Sequence, residues 1–168
     1  EYGGSLENRM RFPLQVAAQV RAAVPQNLPI FVRISATDWT PGGWDLEQSI
    51  EFCRKLRELE IDLIDVSTGG NVPRAAIPVA PNYQVGFAAQ IRKQAGIKTG
   101  AVGMITQPCQ AEEILQKGEA DAVFIAREFL REPYFVFRAA RELGAEINYV
   151  PLQYGRAIET ESAQEVKD

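Results

Sequence analysis

Apolar positions along the chain follow two patterns that alternate. Short runs of consecutive apolar residues are each followed by a turn and then by a stretch whose apolar residues recur every three or four positions. The runs are apolar on both faces, which is typical of parallel strands covered by helices, and the spaced stretches are typical of amphipathic helices. The sequence therefore predicts strands at 29–35, 61–67, 98–102 and 122–125, followed in turn by helices at 45–60, 83–95, 108–117 and 133–143.

A further amphipathic helix is expected before the first strand. Ser5 is a suitable N-cap for it. Phe12 and Val16 keep helical spacing until Pro25 ends the stretch. Pro13 lies inside this segment, so the sequence is compatible with one helix or with an initial turn followed by a main helix that starts near Pro13.

Strands that alternate with helices predict an α/β fold with a parallel sheet and right-handed crossovers. Four such units are about half of the eight in a (β/α)8 TIM barrel, which typically needs ~250 residues. We therefore predict half of a barrel over residues 1–158 and a polar, disordered tail at 159–168. Because a half barrel has two open sheet edges and an apolar inner face, we expect it to pair with a complementary half or with itself.

The composition is that of one globular domain and narrows the function classes. The chain has 168 residues, of which 46% are hydrophobic and 24% charged, and its net charge of -4 argues against a nucleic acid partner. No apolar run approaches the ~20 residues of a membrane span, and no signal peptide is visible. The first residue is Glu1 rather than Met, which suggests a fragment or a processed product.

Two residue types limit the chemistry. Cys53 and Cys109 are far apart and have no histidine nearby, so neither a metal site nor a disulfide framework is indicated, and a reducing, cytoplasmic location fits best. The chain has no histidine at all, which excludes a Ser-His-Asp triad within it. Acid–base chemistry would need Asp, Glu, Lys, Tyr or another chain.

Small residues at two strand ends are the first candidate site. The glycines at 100 and 103, with Ala126 and Arg127, would let backbone N–H groups and one cation hold a phosphate, as the last two strands of such barrels often do. The glycines are equally compatible with a tight turn. Arg127 could instead pair on the surface with Glu128 or Glu132.

Arg33 is the second candidate, because it is a charged residue at the carboxyl end of an apolar strand. A barrel places catalytic groups at this end, and a guanidinium among apolar neighbours needs an acceptor such as an anion or an electron-rich ring. A structural ion pair with Asp38 or Asp65 is an equally good interpretation. The hydroxyl-rich loop at 67–71 could likewise contact a ligand or form a simple turn.

Four motifs, taken in order, resemble the Old Yellow Enzyme family of flavin-dependent ene-reductases, and in particular its YqjM-like, thermophilic-like bacterial branch. The motifs are EYGGSLENR at 1–9, FVRISA at 31–36, TGAVGMIT at 99–106 and FIARE at 124–128. The resemblance implies the C-terminal half of a TIM barrel that holds FMN at its carboxyl-terminal mouth. It also implies hydride transfer from NADH or NADPH through FMN to activated alkenes such as enones.

The same resemblance assigns roles to individual residues. The arginine beside the flavin pyrimidine falls on Arg33. The phosphate-binding residues fall on Gly103, Ala126 and Arg127, with Met104 beside them. Relatives usually have glycine where this chain has Ala126, and a methyl group there is compatible with a backbone N–H contact if φ is negative.

The resemblance also implies partners. An arginine that reaches the neighbouring subunit's substrate pocket falls on Arg156, which implies a homo-oligomer. The family's substrate-binding histidines and its tyrosine proton donor belong to the first half of the barrel, so no catalytic residue is expected here and activity would require that N-terminal half. The alternative is a non-catalytic half barrel that self-associates and binds FMN or another phosphate ligand.

Overall fold

The computed structural model describes residues 1–147 and 149–155, so the predicted tail at 159–168 lies outside the described residues. Helices and strands alternate through most of this range. The elements are α1 (Leu6–Ala23), β1 (Phe31–Ser35), α2 (Leu46–Glu58), β2 (Leu63–Ser67), α3 (Val85–Ala95), β3 (Lys98–Ala101), α4 (Pro108–Gln116), β4 (Ala122–Val123), α5 (Arg127–Arg131) and α6 (Phe135–Leu143). A 3-10 turn follows at Leu152–Tyr154.

The four strands form one parallel sheet in the order β1-β2-β3-β4, with β1 and β4 at its edges. Side chains of β2 and β3 that face the helices are fully buried, as Ile64 and Thr99 show. The core between the sheet and helices α2 and α3 also contains Cys53, Leu56 and Ile91, each fully buried. The parallel sheet and its helical connections agree with the prediction from periodicity.

The opposite face of the sheet, which we call the inner face, is only partly covered. It carries Phe31, whose exposed fraction is 53%, and Arg33, which pairs in register with Asp65 on β2. An inner face that is left partly open agrees with the half barrel predicted from the sequence. In a closed barrel, the inner face packs against strands across the barrel, and four strands alone do not close one.

The opening helix is continuous. Ser5 caps α1, since its hydroxyl accepts a hydrogen bond from the Asn8 N–H at 3.4 Å. The helix runs through Pro13 without a break, which decides between the two alternatives in favour of one helix. Buried Met10 and Ala17 lie on either side of Pro13, so packing of both halves against the core opposes the local cost of the proline.

Strands β3 and β4 end earlier than predicted. Gly103 has φ of 124° and Met104 has φ of 53°, values that a β-strand does not allow. Gly103, Met104 and Ala126 therefore lie in the connections after the strands, and Arg127 is the first residue of a short helix. Helix α5, which begins at Arg127, was not predicted.

Candidate functional site

A cavity of about 470 Å³ opens at the carboxyl ends of the strands. We call it the strand-end cavity. Its volume falls in the ~300–1,000 Å³ range of small-molecule and cofactor sites. All five residues that the resemblance assigned to cofactor binding line it: Arg33, Gly103, Met104, Ala126 and Arg127.

The loop after β3 uses two of its carbonyl groups in hydrogen bonds and leaves two amides without a partner among the described residues. The Gly103 carbonyl accepts from the Asn82 N–H at 2.9 Å, and the Met104 carbonyl accepts from Gln110 Nε2 at 3.0 Å. The N–H groups of Gly103 and Met104 donate to no acceptor among the described residues. Unpaired N–H groups on adjacent residues favour an anion.

The loop after β4 supplies a third amide. Ala126 has φ of -111°, the negative value that a methyl-bearing residue needs at this position. Within residues 1–147 and 149–155, its N–H donates to no backbone or side-chain acceptor. The replacement of glycine by alanine is thus compatible with a backbone contact to a ligand.

The Arg127 guanidinium makes no ion pair or hydrogen bond in the part of the chain that the structure describes. Both carboxylates proposed as surface partners are engaged elsewhere. Glu128 pairs with Arg131 at 3.3 Å, and Glu132 pairs with Arg138 at 2.9 Å. The hydrogen bond from Arg138 lowers the pKa of the Glu132 carboxyl. The surface-pair interpretation of Arg127 was therefore wrong, and its charge is available to the cavity.

Arg33 does have a carboxylate partner. Its Nη1 lies 2.8 Å from Oδ2 of Asp65. Asp38, the other candidate, instead accepts from the Trp44 N–H at 2.9 Å and from Asn71 Nδ2 at 3.0 Å. The Arg33 side chain is still 60% exposed and lines the strand-end cavity, so the ion pair and a contact with a ligand are compatible.

Gln84 is a residue of the cavity wall that sequence reasoning missed. It is 4% exposed, and its Oε1 accepts from the hydroxyls of Thr68 at 2.7 Å and Ser67 at 3.3 Å. These two hydroxyls of the 67–71 loop therefore orient Gln84. The Gln84 side chain also lies so close to Gly103 that a Cβ there would be 3.3 Å from Nε2. Nothing in the local sequence distinguishes this glutamine, because its importance comes from contacts between distant segments.

A second opening, of about 780 Å³, lies at the amino ends of the strands. Charged residues at this opening stabilise the fold through hydrogen bonds to the backbone. Asp62 accepts from the Ile30 N–H at 2.7 Å, and Arg57 donates to the Ala95 carbonyl at 2.8 Å. Since barrels carry their chemistry at the carboxyl ends, the strand-end cavity is the candidate site.

Residues 1–146 match the NADH:flavin oxidoreductase / NADH oxidase family. The chain belongs to this family. It is 50% identical over 156 residues to the NADPH dehydrogenase of Geobacillus thermodenitrificans, and 50% identical over 156 residues to that of Bacillus subtilis. Each match covers 93% of this chain and 45% of the relative, so the chain spans about half the length of these relatives. The resemblance to the Old Yellow Enzyme family is confirmed.

Solved structures agree in fold. Morphinone reductase in complex with tetrahydroNAD is 25% identical with a TM-score of 0.61, over 90% of this chain and 39% of that one. A 2-naphthoyl-CoA reductase in complex with 2-naphthoyl-CoA is 28% identical with a TM-score of 0.74, over 86% of this chain and 22% of that one. With the parallel four-stranded sheet, these matches confirm the predicted class, part of an α/β TIM barrel.

Arg156, expected at a subunit interface, lies outside the described residues. In the described ranges, no group of three His, Cys, Asp or Glu side chains is placed to hold a metal ion. None of the described helices is both long enough and apolar enough to cross a membrane.

Proposed function

We propose that this chain provides the FMN-binding part of an NAD(P)H-dependent ene-reductase. The observation that carries the proposal is the convergence of three unpaired backbone amides and an unpaired guanidinium, all within the described residues, on the strand-end cavity. The family match supports a flavin rather than another phosphate ligand. The names of the relatives support NADPH as the reductant.

The phosphate of FMN fits the loops after β3 and β4. Backbone N–H groups of Gly103, Met104 and Ala126 would donate to its oxygens, and Arg127 would offset its charge. The cavity is a local positive site on a chain whose net charge is -4.

The pyrimidine end of the flavin fits beside Arg33. A guanidinium there would donate hydrogen bonds to ring heteroatoms and favour added negative charge on the ring. Gln84 would orient the bound molecule from the side of β2. FMN, when bound, supplies hydride transfer between the reduced nicotinamide and the alkene.

The remaining catalytic groups would come from the part of the barrel that this chain does not span. The chain contains no histidine to polarise a substrate carbonyl. Loss of one such donor typically costs ~3 kcal/mol of transition-state stabilisation. We therefore propose that the complementary barrel segment is an obligatory partner, and that Arg156 of a neighbouring copy completes the substrate pocket.

The test compares two samples: the chain alone, and the chain with the complementary segment of the Bacillus subtilis relative. FMN and riboflavin binding are followed by flavin fluorescence, and NADPH-dependent reduction of 2-cyclohexenone by absorbance. We expect the complemented sample to bind FMN at least tenfold more tightly than riboflavin and to reduce the enone. If the complemented sample does not bind FMN, the proposal is contradicted.

The same experiment separates the alternative function. A self-associating chain that binds FMN alone, and gains no enone reduction on complementation, would favour the non-catalytic binding module. Size-exclusion chromatography of both samples reports the association state. If the isolated chain elutes as a stable monomer, this result would count against the expectation that its inner face needs a partner.

A further inference from the structure

Arg33 and Asp65 occupy paired positions on adjacent parallel strands, so both side chains emerge on the inner face of the sheet. Arg33 Nη1 donates to Asp65 Oδ2 at 2.8 Å. The two side chains differ in exposure: that of Arg33 is 60% exposed and lines the strand-end cavity, whereas that of Asp65 is 14% exposed and does not line it. Asp65 therefore acts on the cavity through its contact with Arg33.

The Asp65 carboxylate depends on this one contact. Its second oxygen, Oδ1, is buried and has no hydrogen-bond partner among the residues that the structure describes. The next positions in the same register across the sheet are Gly100 and Ala122, which have no polar side chain to offer. A poorly solvated carboxylate attracts a neighbouring cation strongly, because removing the cation leaves an uncompensated charge.

From this geometry we infer that Asp65 is a positioning residue for Arg33. It holds the guanidinium at the wall of the strand-end cavity and offsets its charge, so a flavin beside Arg33 faces an ion pair instead of a full positive charge. The inference rests on the proposed function. Because positive charge beside the ring favours the more electron-rich reduced flavin, Asp65 lowers the midpoint potential of FMN in this protein.

The test is a redox titration of the FMN-loaded protein, completed with the complementary barrel segment, in wild-type and Asp65→Asn forms. Asparagine keeps an acceptor oxygen for Arg33 and removes the charge. In Asp65→Asn we expect the ratio of reduced to oxidised FMN at a fixed potential to rise about tenfold. For a two-electron couple, this corresponds to a shift of the midpoint potential by ~30 mV toward positive values. Asp65→Glu, which keeps the charge, should restore most of the wild-type potential.

The matched control is Glu113→Gln. Glu113 also pairs with one cation, Lys117, at 2.9 Å, but on the exposed surface of α4. This variant should leave the potential unchanged, because surface charges are screened by solvent. An equal shift in the control, or an unchanged potential in Asp65→Asn with FMN bound, would overturn the inference. Failure of the wild-type protein to bind FMN would overturn the proposed function as well.

Two further variants keep the inference testable if Asp65→Asn alone does not fold because it leaves the Arg33 cation without a charged partner. Arg33→Gln leaves the Asp65 charge uncompensated, so the potential should shift in the negative direction by a similar factor. In the double variant, Arg33→Gln with Asp65→Asn, the potential should return toward that of the wild type. A double variant that stays at the Arg33→Gln value would show that the Asp65 charge has no influence and would reject the inference.

Discussion

The ring of Phe124 lies against the backbone of Gly100, in the space that a side chain at this position would fill. A Cβ on Gly100 would overlap the ring, even though β3 and β4 are neighbouring strands with regular pairing. Phe124 also packs edge to face against Phe31, with ring centroids 6.4 Å apart, and lines the strand-end cavity. Glycine in β3 is thus a packing requirement of the inner face.

Gly100→Ala should displace the Phe124 ring and deform the cavity wall. We expect a loss of ~1–3 kcal/mol in the free energy of unfolding, typical of an overpacked site. FMN affinity should fall at the same time, because the displaced ring lines the cavity. Urea denaturation and FMN titration measure the two effects.

Gly86→Ala is the matched control for this substitution. Gly86 lies in α3, and a Cβ added there would have no other atom within 4 Å. An alanine at this position should stabilise the helix by ~0.5–1 kcal/mol. Equal changes in unfolding free energy and FMN affinity in the two variants would contradict the packing role assigned to Gly100.

Gly103→Ala tests the loop that is proposed to bind the phosphate. Gly103 has φ of 124°, and a Cβ would lie 3.2 Å from both the backbone N and the Cβ of Gln84. Strain of this kind costs ~1–3 kcal/mol, and it should move the unpaired amides and weaken FMN binding. Gly70→Ala is the control, since Gly70 has φ of 92° with open space around it. If both variants lose FMN affinity equally, the contact with Gln84 is unimportant.

Arg127→Gln should weaken FMN binding without affecting riboflavin. A charged hydrogen bond contributes ~1.5–3 kcal/mol, so the dissociation constant for FMN should rise ~10-fold or more. Riboflavin has no phosphate and serves as an internal control for the ring contacts. Arg54→Gln removes a guanidinium that pairs with Glu51 on α2, and it should change neither constant. If Arg127→Gln weakens the binding of FMN and of riboflavin by the same factor, this would argue against a phosphate contact.

Local signals in the sequence were sufficient to predict most of the helices and strands. Ser5 caps α1, Pro108 begins α4, and Gly118 follows that helix with φ of 67°. These residues act through their own backbone geometry, which neighbouring residues alone determine. Helix α5 was missed because it has five residues and no side-chain cap, so it lacks both periodicity and a start signal.

The candidate site was predictable from motifs, but its contacts were not. The motifs identified Arg33 and Arg127, yet the sequence offered two candidate carboxylates for each of them. Strand register selects Asp65 for Arg33, and competing arginines occupy both partners offered to Arg127. Such choices depend on three-dimensional packing, as does the burial of Gln84 beside Gly103.

Asp121 should make the stability of the fold sensitive to acid. Burial alone would raise its pKa, but hydrogen bonds from Arg92 and from the Thr99 N–H at 3.0 Å outweigh this, and the pKa of Asp121 is lowered. The unfolded chain then binds the proton more readily. The stabilisation is therefore present above the unfolded pKa of ~3.9 and is lost as pH falls through the folded value.

Unfolding of the wild type and of Asp121→Asn should be compared between neutral pH and about pH 3, a range that spans the unfolded pKa. The difference in stability should be largest at neutral pH and shrink in acid. Arg92→Gln, which removes both hydrogen bonds from the Arg92 guanidinium to the carboxylate, should flatten this pH dependence. A difference that stays constant over the range would mean that the Asp121 pKa is not lowered.

The two cysteines should differ sharply in reactivity. Cys53 is fully buried in the core, and burial raises the pKa of its thiol to about 12. Compared with a free thiol of pKa ~8.5, it forms roughly three orders of magnitude less thiolate at neutral pH, and the thiolate is the reactive form. Cys109 is exposed at the start of α4. A thiol reagent such as dithionitrobenzoate should therefore titrate one cysteine in the native chain and two after unfolding. Cys109→Ser should abolish the native reaction, and rapid labelling of that variant would mean that the core around Cys53 opens readily.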